Sequence, residues 1–97
     1  MSKYFPVYLN LDDRRVVVIG GGELGESKSL ALIDCGAKLV VIAKDVSETV
    51  RKLSLSKEIT WVSRGYEYGD LEGAFIAIVT DTRDTELIAK ISDEAME

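Results

Sequence analysis

With 97 residues, 46% of them apolar, a formal charge of −5 and no run of basic residues, the chain is expected to form one small domain that does not bind nucleic acid. One cysteine and no histidine exclude an internal disulfide, a zinc-type cluster and a histidine-activated nucleophile. Because no apolar stretch reaches the roughly 18 residues that span a bilayer, and the first residues lack the apolar core of a secretory signal, we expect a cytoplasmic protein with no membrane partner.

The first predicted elements are a lead-in, a turn and a buried strand. Residues 4–11 form an apolar lead-in, in which Pro6 suits an edge or an irregular segment. Residues 12–15 form a polar turn. Residues 16–19 are apolar at every position, which is typical of a parallel strand buried on both faces.

The next predicted element is a helix over residues 23–35, which Gly36 ends. Helical spacing places Leu24, Ala31 and Cys35 on one face, which we expect to pack on the core. The neighbouring apolar positions that broaden this face are Leu30, Leu32 and Ile33. Cys35 is accordingly interpreted as a core residue rather than a nucleophile.

The rest of the chain continues the alternation of strands and helices. Ser47 is expected to begin a short helix that ends near residue 53. The other predicted elements are strands over residues 39–43, 59–62 and 74–79, a loop over 65–73 and a helix over 84–96. This alternation predicts an α/β fold, a Rossmann-like, doubly wound parallel sheet of about four strands in the order 3-2-1-4 with flanking helices.

The segment between the first strand and the first helix carries a glycine motif. Gly20, Gly22 and Gly25 lie on the spacing G-x-G-x-x-G, in which the glycines allow a sharp turn, a close approach to a pyrophosphate and close helix packing, respectively. The start of the helix presents unpaired amides to the phosphates. The predicted phosphate loop comprises Gly20, Gly21, Gly22, Glu23, Leu24 and Gly25. The alternative is a tight turn without a ligand, although one glycine would suffice for that.

Two further segments follow strands at the same edge of the predicted sheet. Lys44 and Asp45 are expected to meet the adenosine ribose, and Thr80 and Asp81 the nicotinamide half. Ala43 stands where an acid usually holds the ribose hydroxyls, so Asp45 either takes over that role or caps the next helix. Lys44 either meets the 2′-phosphate of NADP or is a solvated surface residue. Asp81 either serves the site or caps a helix.

Three other side chains have simpler interpretations. Glu23 is expected to stabilise the helix N-terminus through the helix dipole. Lys28, one turn into the helix, either reaches an anionic ligand or is an exposed lysine. Trp61 in the third strand is expected to pack rather than to serve as a stacking platform, and no set of metal ligands is visible.

Several segments match one known family. They are residues 5–11, residues 16–22, Lys28, residues 35–37, residues 70–75, and Thr80 with Asp81. Together they resemble the N-terminal domain of the siroheme synthase family, for which F-P-V-Y-L joined to the triple glycine is the specific signal. Members of that family are NAD-dependent precorrin-2 dehydrogenases, some of which double as sirohydrochlorin ferrochelatases.

The resemblance implies that NAD is held by the backbone of Gly22, Glu23 and Leu24 and by the turn at Lys44 and Asp45. It also implies oxidation of precorrin-2 to sirohydrochlorin in siroheme biosynthesis. The family's V-A-x-R-K is replaced by L-G-E-S-K here, without the arginine, and its catalytic aspartate follows a fifth strand that this sequence does not include. We therefore expect residues 1–97 to be an NAD(P)-binding domain, incomplete relative to the family and without a catalytic residue of its own.

Two hypotheses about function follow. In the first, the chain is the NAD-binding domain of a precorrin-2 dehydrogenase, and residues outside it supply the acid–base group and the tetrapyrrole pocket. A domain charge of −5 agrees with this, because precorrin-2 itself bears many carboxylates. In the second, the chain is a non-catalytic nucleotide-sensing or dimerisation module that keeps the fold. Self-association as a homodimer, through the fourth strand or a helix surface, is a further expectation.

Overall fold

A computed structural model describes residues 7–80 and 83–96 of the chain. Within that part the elements, in chain order, are β1 Arg15–Ile19, α1 Gly22–Asp34, β2 Lys38–Ile42, α2 Glu48–Leu55, β3 Thr60–Val62, β4 Ile76–Val79 and α3 Thr85–Ala95. None of these helices is long and apolar enough to cross a membrane. The start of the predicted lead-in and the candidate site residue Asp81 lie outside the described residues.

The four strands form one parallel sheet in the order β3-β2-β1-β4, which confirms the predicted topology. β1 is central, with Val17 aligned to Val40 of β2 on one side and to Ala77 of β4 on the other. Val16, Val17 and Val18 are all 0% exposed. The uniform apolar run of β1 therefore reflects burial on both faces of the sheet.

Helices cover both faces of the sheet. On one face, Leu32 of α1 and Val50 of α2 belong to the same core cluster as Val18. On the other face, Ile91 of α3 belongs to the same cluster as Val17. Successive residues of β1 point to opposite faces of the sheet, so the core consists of two layers, as a doubly wound fold requires.

The prediction of the inner face of α1 is wrong for four of its six residues. Leu24 and Leu30 are 49% and 44% exposed, and Ala31 and Cys35 are exposed as well, so Cys35 is not a core residue. Of the predicted positions, Leu32 is buried and Ile33 packs against the core, and the other buried residues of α1 are Gly25 and Ser29. Apolar residues occur on several sides of this helix, and its buried side includes the small residues Gly25 and Ser29, of which Gly25 packs against the Gly20 carbonyl. Hydrophobic periodicity alone therefore selected mainly the wrong positions.

The helix ends agree with the sequence signals. The side chain of Ser47 accepts a hydrogen bond from the Val50 amide at 3.3 Å and caps α2, which runs two residues further than expected. Asp84 caps α3 by accepting from the Leu87 amide at 3.0 Å. Gly36, just after α1, has a φ of +80°, a conformation that favours glycine at a helix C-terminus.

Candidate functional site

The carboxyl ends of β1, β2 and β4 meet at one edge of the sheet. The Gly20 amide donates to the Ile42 carbonyl of β2 at 2.9 Å. Both the amide and the hydroxyl of Thr80, just after β4, donate to the Ile19 carbonyl, at 3.0 and 3.2 Å. The structure therefore brings together the three segments that the sequence assigned to a nucleotide site, as far as they are described.

Gly20 turns the chain out of β1 with a φ of +117°. A Cβ at this position would overlap the side-chain oxygen of Thr80. Both the backbone conformation and the space therefore require glycine here, in agreement with the predicted sharp turn.

Gly21 and Gly25 each allow a close approach of two backbone segments. A Cβ on Gly21 would overlap the carbonyl oxygen of Asp45, so the turn after β2 lies directly against the glycine loop. A Cβ on Gly25 would lie 2.7 Å from the carbonyl oxygen of Gly20, so α1 packs tightly on the end of β1. The role of Gly25 is the one that the spacing predicted. The contact at Gly21 was not predicted, and a third consecutive glycine was its only signal.

Gly22 differs from the other glycines of the loop because the space beside it is open. Its φ is +74°, and among the described residues no atom outside its chain neighbours and the backbone of α1 lies within 4 Å of the position that a Cβ would take. It is the first residue of α1, whose N-cap, Gly21, provides no side-chain hydrogen bond. Within the described residues, the amides of Gly22, Glu23 and Leu24 donate to no acceptor.

These features fit a dinucleotide pyrophosphate. Three unpaired amides at a helix N-terminus supply hydrogen-bond donors and the positive end of the helix dipole. The open side of Gly22 leaves room for phosphate oxygens to approach the backbone. Among residues 7–80 and 83–96, no side chain fills the space beside Gly22, and the three amides have no acceptor.

The turn after β2 forms the predicted ribose side of the site. Lys44 and Asp45 are exposed, whereas Ala43 is 6% exposed and its carbonyl accepts a hydrogen bond from Trp61 Nε1 at 2.8 Å. Ser47 rather than Asp45 caps α2, so the helix-cap alternative for Asp45 is wrong. Half-buried Trp61 packs against this turn rather than standing free as a platform.

The predicted nicotinamide side is described in part. Thr80 is half-buried and lies against the glycine loop, while Asp81 is outside the described residues. The N-cap of α3 is Asp84, so that role does not fall to Asp81. Lys28 is exposed on α1, and Glu23 lies exposed in its first turn, where it complements the helix dipole.

With this geometry in place, residues 7–97 match the family model described as "Putative NAD(P)-binding". The chain belongs to this family. It is also 39% identical over 93 residues to the siroheme synthase of Pseudomonas fluorescens (strain Pf0-1), and 37% identical over 94 residues to that of Azotobacter vinelandii. These matches cover 96% and 97% of this chain but 20% of each relative, so the chain spans about a fifth of their length.

Among solved structures, "SirC, precorrin-2 dehydrogenase" superposes on this NAD(P)-binding domain with a TM-score of 0.82 and 24% sequence identity. The superposition covers 92% of this chain and 44% of that chain, and it shows a shared fold. The resemblance to siroheme synthases that the sequence motifs indicated is thereby confirmed.

The domain also contains a polar network that sequence reasoning missed. The Glu94 carboxylate of α3 accepts hydrogen bonds from the Tyr66 hydroxyl, from the Gly69 amide at 3.0 Å and from the Leu71 amide at 2.9 Å. Burial and the hydrogen bond to Glu94 raise the pKa of Tyr66. Partial burial opposes ionisation of Glu94, but its three donors hold its pKa below the usual value.

This network fastens the end of α3 to the loop over residues 65–73, away from the glycine loop. A bidentate salt bridge between Arg64, just before this loop, and Asp70 within it has two contacts of 2.8 Å. No local sequence signal could have found the contacts of Glu94, because Glu94 lies 28 residues from Tyr66. Among residues 7–80 and 83–96, no group of three or more His, Cys, Asp or Glu side chains could hold a metal ion.

Proposed function

We propose that this domain binds NAD as part of a precorrin-2 dehydrogenase, an enzyme that oxidises precorrin-2 to sirohydrochlorin in siroheme biosynthesis. The observation that carries the proposal is the set of three unpaired amides beside the open face of Gly22. Membership of the NAD(P)-binding family and similarity to siroheme synthases support the choice of reaction. The match covers 20% of a siroheme synthase, so the proposed activity is that of a whole enzyme rather than of this domain alone.

Each part of the site has a role in holding the cofactor. The amides of Gly22, Glu23 and Leu24 would bind the pyrophosphate, with Gly20, Gly21 and Gly25 allowing the loop to close up around them. Lys44 and Asp45 would hold the adenosine ribose, and Thr80 and Asp81 would face the nicotinamide. The bound nicotinamide supplies the hydride acceptor, and the chain's own contribution is to orient it against the substrate.

The substrate pocket and the catalytic acid–base group are proposed to be formed by residues other than these. Precorrin-2 carries many carboxylates, and a domain of charge −5 is a poor electrostatic host for it. We further propose a cytoplasmic location and a homodimer, in which the partner and the remaining chain complete the tetrapyrrole pocket.

Titration calorimetry with NAD tests the site. NAD should bind the wild-type chain, and Gly22→Val should abolish binding because the new side chain fills the space over the amides. Gly69→Val is a matched control, since Gly69 also has a positive φ, +102°, and open space, but lies in the loop over residues 65–73. Circular dichroism should show that both variants fold. Equal NAD affinity in wild type and Gly22→Val would refute the pyrophosphate site.

A second candidate function is a non-catalytic nucleotide-sensing or dimerisation module. It is favoured by Ser27, which stands where the siroheme synthase family carries an arginine. The two functions differ in one assay on the full protein, which is the formation of NADH on addition of precorrin-2. NADH formation supports the dehydrogenase, whereas NAD binding without turnover supports the sensor.

A further inference from the structure

We propose that the ribose end of this site accepts NADP as well as NAD, with Lys44 as the cationic partner of the 2′-phosphate and the Ser63 hydroxyl as a second donor. The inference rests on the proposed dinucleotide site and adds its specificity. It comes from the side chains that surround the turn between β2 and α2.

The position just after β2 cannot reject a phosphate. An acid there would bind the ribose hydroxyls and repel a 2′-phosphate, but the residue is Ala43. Its amide donates to the Val62 carbonyl at 3.2 Å, and its carbonyl accepts from Trp61 Nε1 at 2.8 Å. Position 43 is therefore occupied by sheet and side-chain hydrogen bonds and offers no negative charge to the ligand.

The next residue supplies a positive charge. Lys44 is exposed and forms no ion pair with any residue that the structure describes. Its Cε lies 4.0 Å from the position that a Cβ on Gly65 would take, so the side chain lies beside the segment that leaves β3. In the same segment, exposed Ser63 donates to the Lys44 carbonyl through a long hydrogen bond of 3.5 Å, which a phosphate oxygen could readily replace.

The neighbouring charges leave Lys44 as the cation of this turn. Arg64 is held by two contacts of 2.8 Å to Asp70 and lies 3.6 Å from Glu67, so its charge is compensated. Asp45 remains exposed and places its carbonyl against Gly21. The turn thus carries one residue suited to each cofactor, Asp45 for ribose hydroxyls and Lys44 for a phosphate.

Energy transfer from Trp61 provides a readout independent of activity. Trp61 is the sole tryptophan of the chain, and its indole N–H donates a hydrogen bond to the Ala43 carbonyl, which places it beside the proposed ribose site. Bound NADH or NADPH should therefore quench its emission. We expect the wild-type Kd values for the two to agree within about tenfold. Lys44→Gln should raise the Kd for NADPH by about tenfold and that for NADH by less than about twofold, because a hydrogen bond between charged groups is lost with NADPH alone. Ser63→Ala should raise the Kd for NADPH by about threefold, because one hydrogen bond to the phosphate is lost.

Two further variants complete the test. Asp45→Asn should weaken the binding of NADH more than that of NADPH. Lys57→Gln removes the same charge as Lys44→Gln at the opposite edge of the sheet, beside Lys38 and Arg15, and should change neither Kd. Two outcomes would overturn the NADP proposal but not the dinucleotide site. One is that the wild-type chain binds NADH but binds NADPH more than about tenfold more weakly. The other is that Lys44→Gln weakens the binding of NADH and NADPH equally. Failure of the wild-type chain to bind either dinucleotide would overturn the proposed site itself.

Discussion

The side chain of Thr80 lies over the backbone of Gly20, at the spot that a Cβ on Gly20 would occupy. The same hydroxyl donates to the Ile19 carbonyl at 3.2 Å. Thr80 therefore joins the end of β4 to the turn out of β1, and the position of the glycine loop depends on this contact.

Gly20→Ala should destabilise the domain by about 2 kcal/mol, because it combines a positive φ with an overlap. Thr80→Ala removes the overlapping oxygen, so the double variant should be less destabilised than the sum of the two single variants. Urea denaturation of all four proteins measures this coupling. Strictly additive free energies of unfolding would show that the overlap is not the cause.

Gly25→Ala should also destabilise the domain, by about 1–3 kcal/mol. At an ordinary interior position of a helix the same change stabilises by about 1 kcal/mol, so the sign of the effect is diagnostic. The physical reason is that the new Cβ would lie 2.7 Å from the Gly20 carbonyl oxygen, which is backbone and cannot rotate away. Thermal unfolding of the variant gives the sign directly, and an increase in Tm would contradict the close approach of α1 to the loop.

The strands and the glycine loop could be predicted because their signals are local. Residues 16–19 are apolar at every position because both faces of β1 are covered, and the loop needs glycine wherever two backbones touch. The inner face of α1 could be predicted only at Leu32 and Ile33. Gly25 and Ser29 also line it, and small residues at a close helix–sheet contact give no hydrophobic signal.

Contacts between segments that are distant along the chain could not be predicted from a local sequence pattern either. The approach of Asp45 to Gly21 depends on how the turn after β2 folds back on the loop. The hydrogen bonds of Glu94 depend on where α3 ends relative to the loop over residues 65–73. Neither depends on a spacing that can be read along the chain.

Ser29→Ala should stabilise the domain by about 1 kcal/mol. Ser29 is 0% exposed, and its hydroxyl finds no hydrogen-bond partner in the part of the chain that the structure describes. An unsatisfied buried hydroxyl is unfavourable, and alanine also has the higher helix propensity. Ser27→Ala, at an exposed position of the same helix, is the control for propensity alone. An equal gain in both variants would mean that burial of the Ser29 hydroxyl costs nothing.

The Glu94 network should make stability depend on pH on the acid side. Because the pKa of Glu94 is lowered from 4.5 on folding, the folded state binds fewer protons than the unfolded state. The contribution is fully present above pH 4.5 and is lost as the pH falls through the lower, folded pKa. The hydrogen bond from Arg64 lowers the pKa of Asp70 from 3.8, so Asp70 contributes with the same sign.

Urea denaturation across the acid range tests this dependence. Glu94→Gln should lower the free energy of unfolding at pH 7 and flatten its decline between pH 5 and pH 3, because one linked carboxylate has been removed. Asp93→Asn removes an equal charge from the neighbouring position of α3, which is exposed, and should leave the decline unchanged. An identical pH profile for wild type and Glu94→Gln would show that the three donors do not favour the ionised carboxylate. A flattened profile in Asp93→Asn would instead assign the effect to the net charge of the helix end.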